Sequence, residues 1–155
     1  MTVTNPADFT PKPASLPCLC AATRRVDRLL NRIYDDALRP LGINTMQKSL
    51  LASIDRAPAG IDFADLSDRL AVDRSTLTRN LTTLRSIGYV SIAPHPRDRR
   101  RRLVQLTDRG KSTLGESEPL WRDAQQRVIE ALGPDQAAAM SAMLATTERV
   151  IRGLE

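Results

Sequence analysis

From Cys20 to Arg39 the apolar residues Val26, Leu29, Leu30, Ile33, Ala37 and Leu38 return every three or four positions, with arginines and aspartates between them. That period predicts a long amphipathic helix, closed by the RPLG sequence, where proline cannot continue it. A second helix is predicted over about Thr45 to Asp55, with Met46, Leu50, Leu51 and Ile54 as its buried stripe and RAPAG as its stop. Two short helices follow around a tight turn. Asp62 is placed to cap the first, with Phe63, Leu66 and Leu70 turned inward, and Asp73 to cap the second, with Leu77, Leu81 and Leu84 inside. A 3.6-residue period then throws Ser75, Arg79, Thr82 and Ser86 to the outer side of the second helix, with Thr78 on its flank.

The period next changes from helical to alternating. Val90 and Ile92 in GYVSIAP, and Val104 and Leu106 in RLVQL, each fall on one side of an extended segment, so the two segments predict a β-hairpin. Thr107 is placed to cap a long helix running towards Leu132, which Pro119 should kink or locally open. A last helix, about Asp135 to Arg152, is expected to bury Met140, Met143, Leu144, Val150 and Ile151. The fold class is therefore mainly α with a small β-hairpin.

Composition sharpens this in three places. At 155 residues the chain holds one compact core or a small unit with extended helices needing a partner, and 3% aromatics suits a helical protein. Net charge of +5 points to an acidic polymer or an anionic ligand as partner. Residues 1–17 hold four prolines, no apolar periodicity and no signal pattern, and read as a flexible arm; no long apolar run suggests a membrane span, and a cytoplasmic location is expected.

Within PHPRDRRRRLVQLT, five arginines and one aspartate occupy residues 97–102. A charge run of this kind is ordinarily a solvated segment, but here it lies between the two strands and becomes the loop of the hairpin. Two short helices with an outer Ser/Thr/Arg face, followed by a basic hairpin, make a winged helix-turn-helix arrangement. Arg79 suits bidentate recognition of guanine in a major groove, with Arg74, Ser75, Thr78 and Thr82 beside it for phosphates, base edges or thymine methyls. An arginine at a hairpin tip suits a minor groove. Such helix faces and basic loops also occur in proteins that never meet DNA, so a basic helical adaptor is the competing reading. An enzyme is not indicated: there is one histidine, His95, between two prolines, and no catalytic motif or glycine-rich phosphate loop. No cofactor and no metal are called for.

The stretch VDRSTLTRNLTTLRSIGYVSIAPHPRDRRRRLVQLTDRGK resembles the MarR family of winged-helix transcriptional regulators, and the similarity extends over about residues 18–152, including DDALRPLGINTMQ. The D-x-R wing element falls at Asp98, Arg99 and Arg100. The resemblance implies a homodimer built by residues 18–40 and 108–155. Residues 41–107 would form the winged helix-turn-helix, two copies of which face one pseudo-palindromic double-stranded operator, and repression would be relieved by a signal. It makes Arg100 the minor-groove arginine, Asp98 its orienting partner, and Arg97, Arg99, Arg101 and Arg102 phosphate contacts or solvated flank. The apolar surface on the long flanking helices exceeds what the winged unit alone can cover, which independently favours a dimer.

The signal is open at this level. Counting back from Gln47, Cys20 matches the reactive cysteine of the organic-hydroperoxide-sensing members and Tyr34 matches one of their tyrosines, while Thr45 and Arg24 occupy two other tyrosine positions. A helix N-terminus flanked by Arg24 and Arg25 favours the thiolate that peroxides oxidise. Cys18, two residues away, would make a strained intramolecular disulfide, whereas a bridge between subunits or soft-metal binding by two C-x-C pairs remains open beside simple packing. The other signal the resemblance implies is a small aromatic acid, for which Arg24, Arg25, Tyr34, Met46 and Trp121 are the pocket residues to inspect.

Overall fold

A computed structural model of the chain describes residues 17–95, 98 and 101–154. Six α-helices, a 3-10 turn and three short strands occur in the order α1 (Leu19–Leu38), 3-10 (Arg39–Leu41), α2 (Thr45–Asp55), β1 (Ile61–Asp62), α3 (Phe63–Leu70), α4 (Arg74–Ser86), β2 (Val90–Pro94), β3 (Arg102–Leu106), α5 (Asp108–Leu132) and α6 (Pro134–Arg152). This is a mainly α winged helix-turn-helix, as the periodicities predict. The chain divides into two units after Ile33. In the first unit the helix carries Leu19, Val26 and Leu29 exposed along its length.

The second unit is organised by capped helix starts. Asn44 accepts from the Gln47 backbone N–H at 2.9 Å while the Gln47 side chain accepts from the Asn44 N–H at 3.0 Å, a reciprocal pair that fixes the start of α2. Asp62 caps α3 by accepting from the Asp65 N–H at 2.9 Å, and Thr107 caps α5 by accepting from the Gly110 N–H at 3.0 Å. The inner residues of these helices, Leu50, Leu51, Ile54, Leu66, Leu77, Leu81 and Leu84, are fully buried in one core with Val90 and Val104 of the hairpin. Phe63, Leu70 and Met46 pack half-buried against it.

The strands form one antiparallel sheet in the order β1-β3-β2. Val90 pairs with Leu106 and Pro94 with Arg102 across the hairpin, while Ile61 and Asp62 pair with Val104 and Leu103. The two-residue strand β1 has no counterpart among the sequence expectations. It ties the start of α3 to the outer edge of the hairpin.

The junction of hairpin and α5 is equally definite. The Tyr89 carbonyl accepts from the Thr107 N–H at 3.1 Å, and the Thr107 hydroxyl donates to the Gly88 carbonyl at 2.7 Å. Gly110, in the first turn of α5, lies so close to the Tyr89 carbonyl that a Cβ there would overlap it. Helix α5 then continues unbroken through Pro119.

Helix α6 leaves most of its apolar stripe uncovered among the described residues. Met143, Leu144, Val150 and Ile151, expected to be buried, are exposed at 68%, 47%, 60% and 52%, and Met140 is half-buried. The amphipathic stripe is present, but the described residues do not cover it. None of the described helices is long and apolar enough to cross a membrane.

Candidate nucleic-acid interface

Helix α4 starts at a strongly held cap. Asp73 accepts from the backbone N–H groups of Ser75 and Thr76, both at 2.9 Å, and from both their hydroxyls. The Ser75 hydroxyl, then that of Thr76, hold its carboxyl well below the usual carboxylate range. Asp73 is therefore spent on shaping the helix start and keeping it ionised.

The outer face of α4 carries Arg74, Ser75, Thr78, Arg79 and Thr82, all exposed as the helical period predicts. Their hydroxyls are largely used within the helix. Thr78 donates to the Arg74 carbonyl at 2.7 Å and Thr82 to the Thr78 carbonyl at 2.8 Å. Bonding of this kind fixes each hydroxyl against the helix, so Thr78 and Thr82 offer a methyl group and lone pairs rather than a free donor. Arg74 and Arg79 are different. No hydrogen bond or ion pair engages either guanidinium among the described residues, leaving both donor forks available.

The hairpin flanks this face. A groove of about 600 Å³ runs between α3, the start of α4 and the root of the wing, with Arg74 and Thr78 on one wall and Arg101 and Arg102 on another. The wing turn is closed by main-chain bonds: His95 N–H donates to the Arg101 carbonyl at 3.0 Å, and Arg101 N–H to the Asp98 carbonyl at 3.0 Å. Arg97, Arg99 and Arg100 lie outside the described residues. Arg101, half-exposed, does not stand as an unpaired cation: its guanidinium is paired with the buried carboxylate of Asp62. Sequence reading did not anticipate this, because nothing in a run of arginines marks the one that folds back.

The residues grouped for signal sensing are placed unevenly. Cys18 and Cys20 are free and exposed, and the Cys18 carbonyl accepts the first helical bond of α1, from the Ala22 N–H at 3.0 Å, which puts Cys20 in the first turn. Arg24 and Arg25 are exposed on the same unit. In the second unit Tyr34 stacks on Trp121 with ring centroids 6.0 Å apart and donates its hydroxyl to the Gln125 side chain. Burial pushes the Tyr34 hydroxyl above its ordinary value. A residue missed by sequence reading completes this cluster. Lys48, nearly buried, holds its ammonium 4.8 Å from the Trp121 ring and 2.9 Å from a Glu118 carboxylate oxygen. Met46 packs half-buried against the core and has no comparable polar contact among the described residues.

The capped helix α4, the tight turn before it and the adjoining basic hairpin define a winged helix-turn-helix protein. The sequence model of the MarR family matches residues 41–101, the helix-turn-helix and most of the wing. The chain is 35% identical over 122 residues to the multiple antibiotic resistance protein MarR of Escherichia coli K12, covering 78% of this chain and 81% of that protein. It therefore belongs to the MarR family. Among solved structures, the transcriptional regulator MosR of M. tuberculosis in complex with DNA superposes with a TM-score of 0.73 at 34% identity, covering 86% of this chain and 98% of that one. A mutant MarR from E. coli complexed with operator DNA superposes with a TM-score of 0.75 at 32% identity, covering 83% and 92%.

Proposed function

We propose that the chain is a homodimeric transcriptional repressor that places α4 in the major groove of a pseudo-palindromic operator and the wing in the adjoining minor groove. The observation that carries this reading is the outer face of α4. Among the described residues its guanidinium groups, at Arg74 and Arg79, are unengaged while the Thr78 and Thr82 hydroxyls are folded back, which suits a surface built to meet an acceptor-rich partner. The DNA complexes of related proteins support the partner. Arg79 reads a guanine, Arg74 and Ser75 approach phosphates, and Thr78 and Thr82 present methyls towards thymine. In the wing, Arg100 enters the minor groove oriented by Asp98, and Arg97 and Arg99 hold the backbone.

The uncovered apolar residues of α6 and of the start of α1 support the dimer. Residues 18–40 and 108–155 serve as the dimerisation region and 41–107 as the DNA-binding region. Fluorescence anisotropy with genomic fragments enriched by the protein, set against scrambled duplexes, tests the reading. Enrichment of one inverted-repeat sequence is expected, and affinity that ignores sequence refutes it in favour of a basic adaptor.

For the signal, oxidation of Cys20 is the reading we adopt. Its thiol is free and exposed in the first turn of α1, where an oxidant can reach it. The aromatic-acid reading has one observation in its favour, the Tyr34–Trp121 stack with the Lys48 ammonium beside it. Titrating operator release with an organic hydroperoxide and with aromatic acids separates the two.

A further inference from the structure

We propose that Arg101 is a positioning residue, strapping the wing to the helix-turn-helix through Asp62, and that it does not contact DNA phosphate. Asp62 is only 4% exposed. One of its oxygens, Oδ1, is committed to the α3 cap. The other, Oδ2, lies fully buried with the Arg101 guanidinium as its only compensation among the described residues. A carboxylate withdrawn from water is tolerated only when its charge is met, so this half-exposed arginine is held in place by its Nη2, and moving it towards a phosphate would strand the buried charge. Asp65, whose nearest carboxylate oxygen is 3.8 Å from the same guanidinium nitrogen, adds to the hold.

The backbone makes the pair a strap rather than a chance contact. Asp62 is paired to Leu103 in the sheet, which makes Arg101 its diagonal neighbour along the same edge. The main chain of Arg101 meanwhile closes the wing turn through both its N–H and its carbonyl. One residue thus fastens the root of the wing tip to the cap of α3, and α3 carries the turn into α4. The angle between wing and recognition helix is set at this point. The remaining arginines of the run are left to meet the nucleic acid.

The consequence for DNA rests on the function proposed above, whereas the strap itself is tested without DNA. Full-length Arg101→Ala, Asp62→Asn and the double variant are compared by thermal unfolding and by anisotropy on operator and random duplex across a salt series. Asparagine retains the helix cap, so Asp62→Asn removes only the charge. Arg101→Ala should melt lower than the double variant, because alone it strands a buried carboxylate. Operator affinity should fall about tenfold for Arg101→Ala and no further for the double variant than for Asp62→Asn alone, as for residues that act as one unit. Affinity for random duplex, and the slope of log affinity against log salt, should stay as in the parent. Additive effects on melting overturn the strap whatever DNA does. A slope reduced by about one for Arg101→Ala, with the same loss on random duplex and in the Asp62→Asn background, makes Arg101 a phosphate contact and overturns the proposal. Should Arg101→Ala fail to fold, Asp62→Asn alone must show an operator-selective loss at unchanged slope, and its absence overturns the proposal equally.

Discussion

Replacing Gly110 with alanine probes how the wing is mounted. The new Cβ would overlap the Tyr89 carbonyl oxygen and stand 3.0 Å from its carbon. What must yield is backbone on both sides. Tyr89 is tied by its N–H to the Leu84 carbonyl at 2.8 Å and by its carbonyl to the Thr107 N–H at 3.1 Å, and α5 is tied by its Thr107 cap. Overpacking against a group that cannot rotate away belongs at the upper end of the usual range, about 3 kcal/mol. Alanine returns about 1 kcal/mol of helix propensity, leaving a loss of about 2 kcal/mol. At 2–4 °C per kcal/mol for a chain of this size, the melting temperature should fall by about 4–8 °C. Gly115 of the same helix is the internal control. A Cβ there meets nothing within 4 Å, so Gly115→Ala should raise stability by up to about 1 kcal/mol. Calorimetry of the two variants decides the matter, and operator affinity should fall only for Gly110→Ala. If Gly110→Ala is as stable as the parent, the hairpin is not seated on α5 in this way and its orientation is set elsewhere.

Other consequences are open to direct measurement. Arg79→Ala should cost about 1–3 kcal/mol on the operator and relax the preference at one base pair; an equal loss on random duplex would exclude base readout. Ile151→Glu, placed in the exposed stripe of α6, should shift the protein to monomer by analytical ultracentrifugation and weaken operator binding, and an unchanged oligomeric state would remove that stripe from the interface. Cys20→Ser should bind operator normally yet no longer release it on hydroperoxide treatment; release that persists would exclude Cys20 as the switch. Because burial raises the Tyr34 hydroxyl above its ordinary value of 10.0, its contribution to unfolding stability should be constant below about pH 10 and decline above it as the unfolded chain gives up the proton first. Tyr34→Phe should abolish that part of the decline, and a decline of the same size in the variant would point to other groups.

The parts of the fold that could be read from sequence are those governed by local rules. Asp62, Asp73 and Thr107 were recognisable as caps because a short acceptor immediately before a periodic apolar run has few other uses. The outer face of α4 followed from the 3.6-residue period alone. Strand β1 was not legible, since two residues cannot show an alternation and its partner lies some forty positions away in sequence. The apolar stripe of α6 was legible as a face, but periodicity identifies a face without saying what covers it, and the described residues leave it exposed. Charge was the least legible property. Lys48 is buried beside Trp121 and Glu118, and Arg101 is turned back onto Asp62, although both residue types ordinarily sit in water. Such pairings depend on which distant carboxylate the fold brings near.

The central claim is sequence-specific DNA binding by α4 and the wing of a dimer. The most direct test is the ratio of dissociation constants for an enriched inverted-repeat duplex and a scrambled duplex of equal length, taken at one fixed near-physiological salt concentration. The account predicts a preference of about a thousandfold or more for the inverted repeat, with one dimer bound per duplex. Equal affinity for the two duplexes would contradict it.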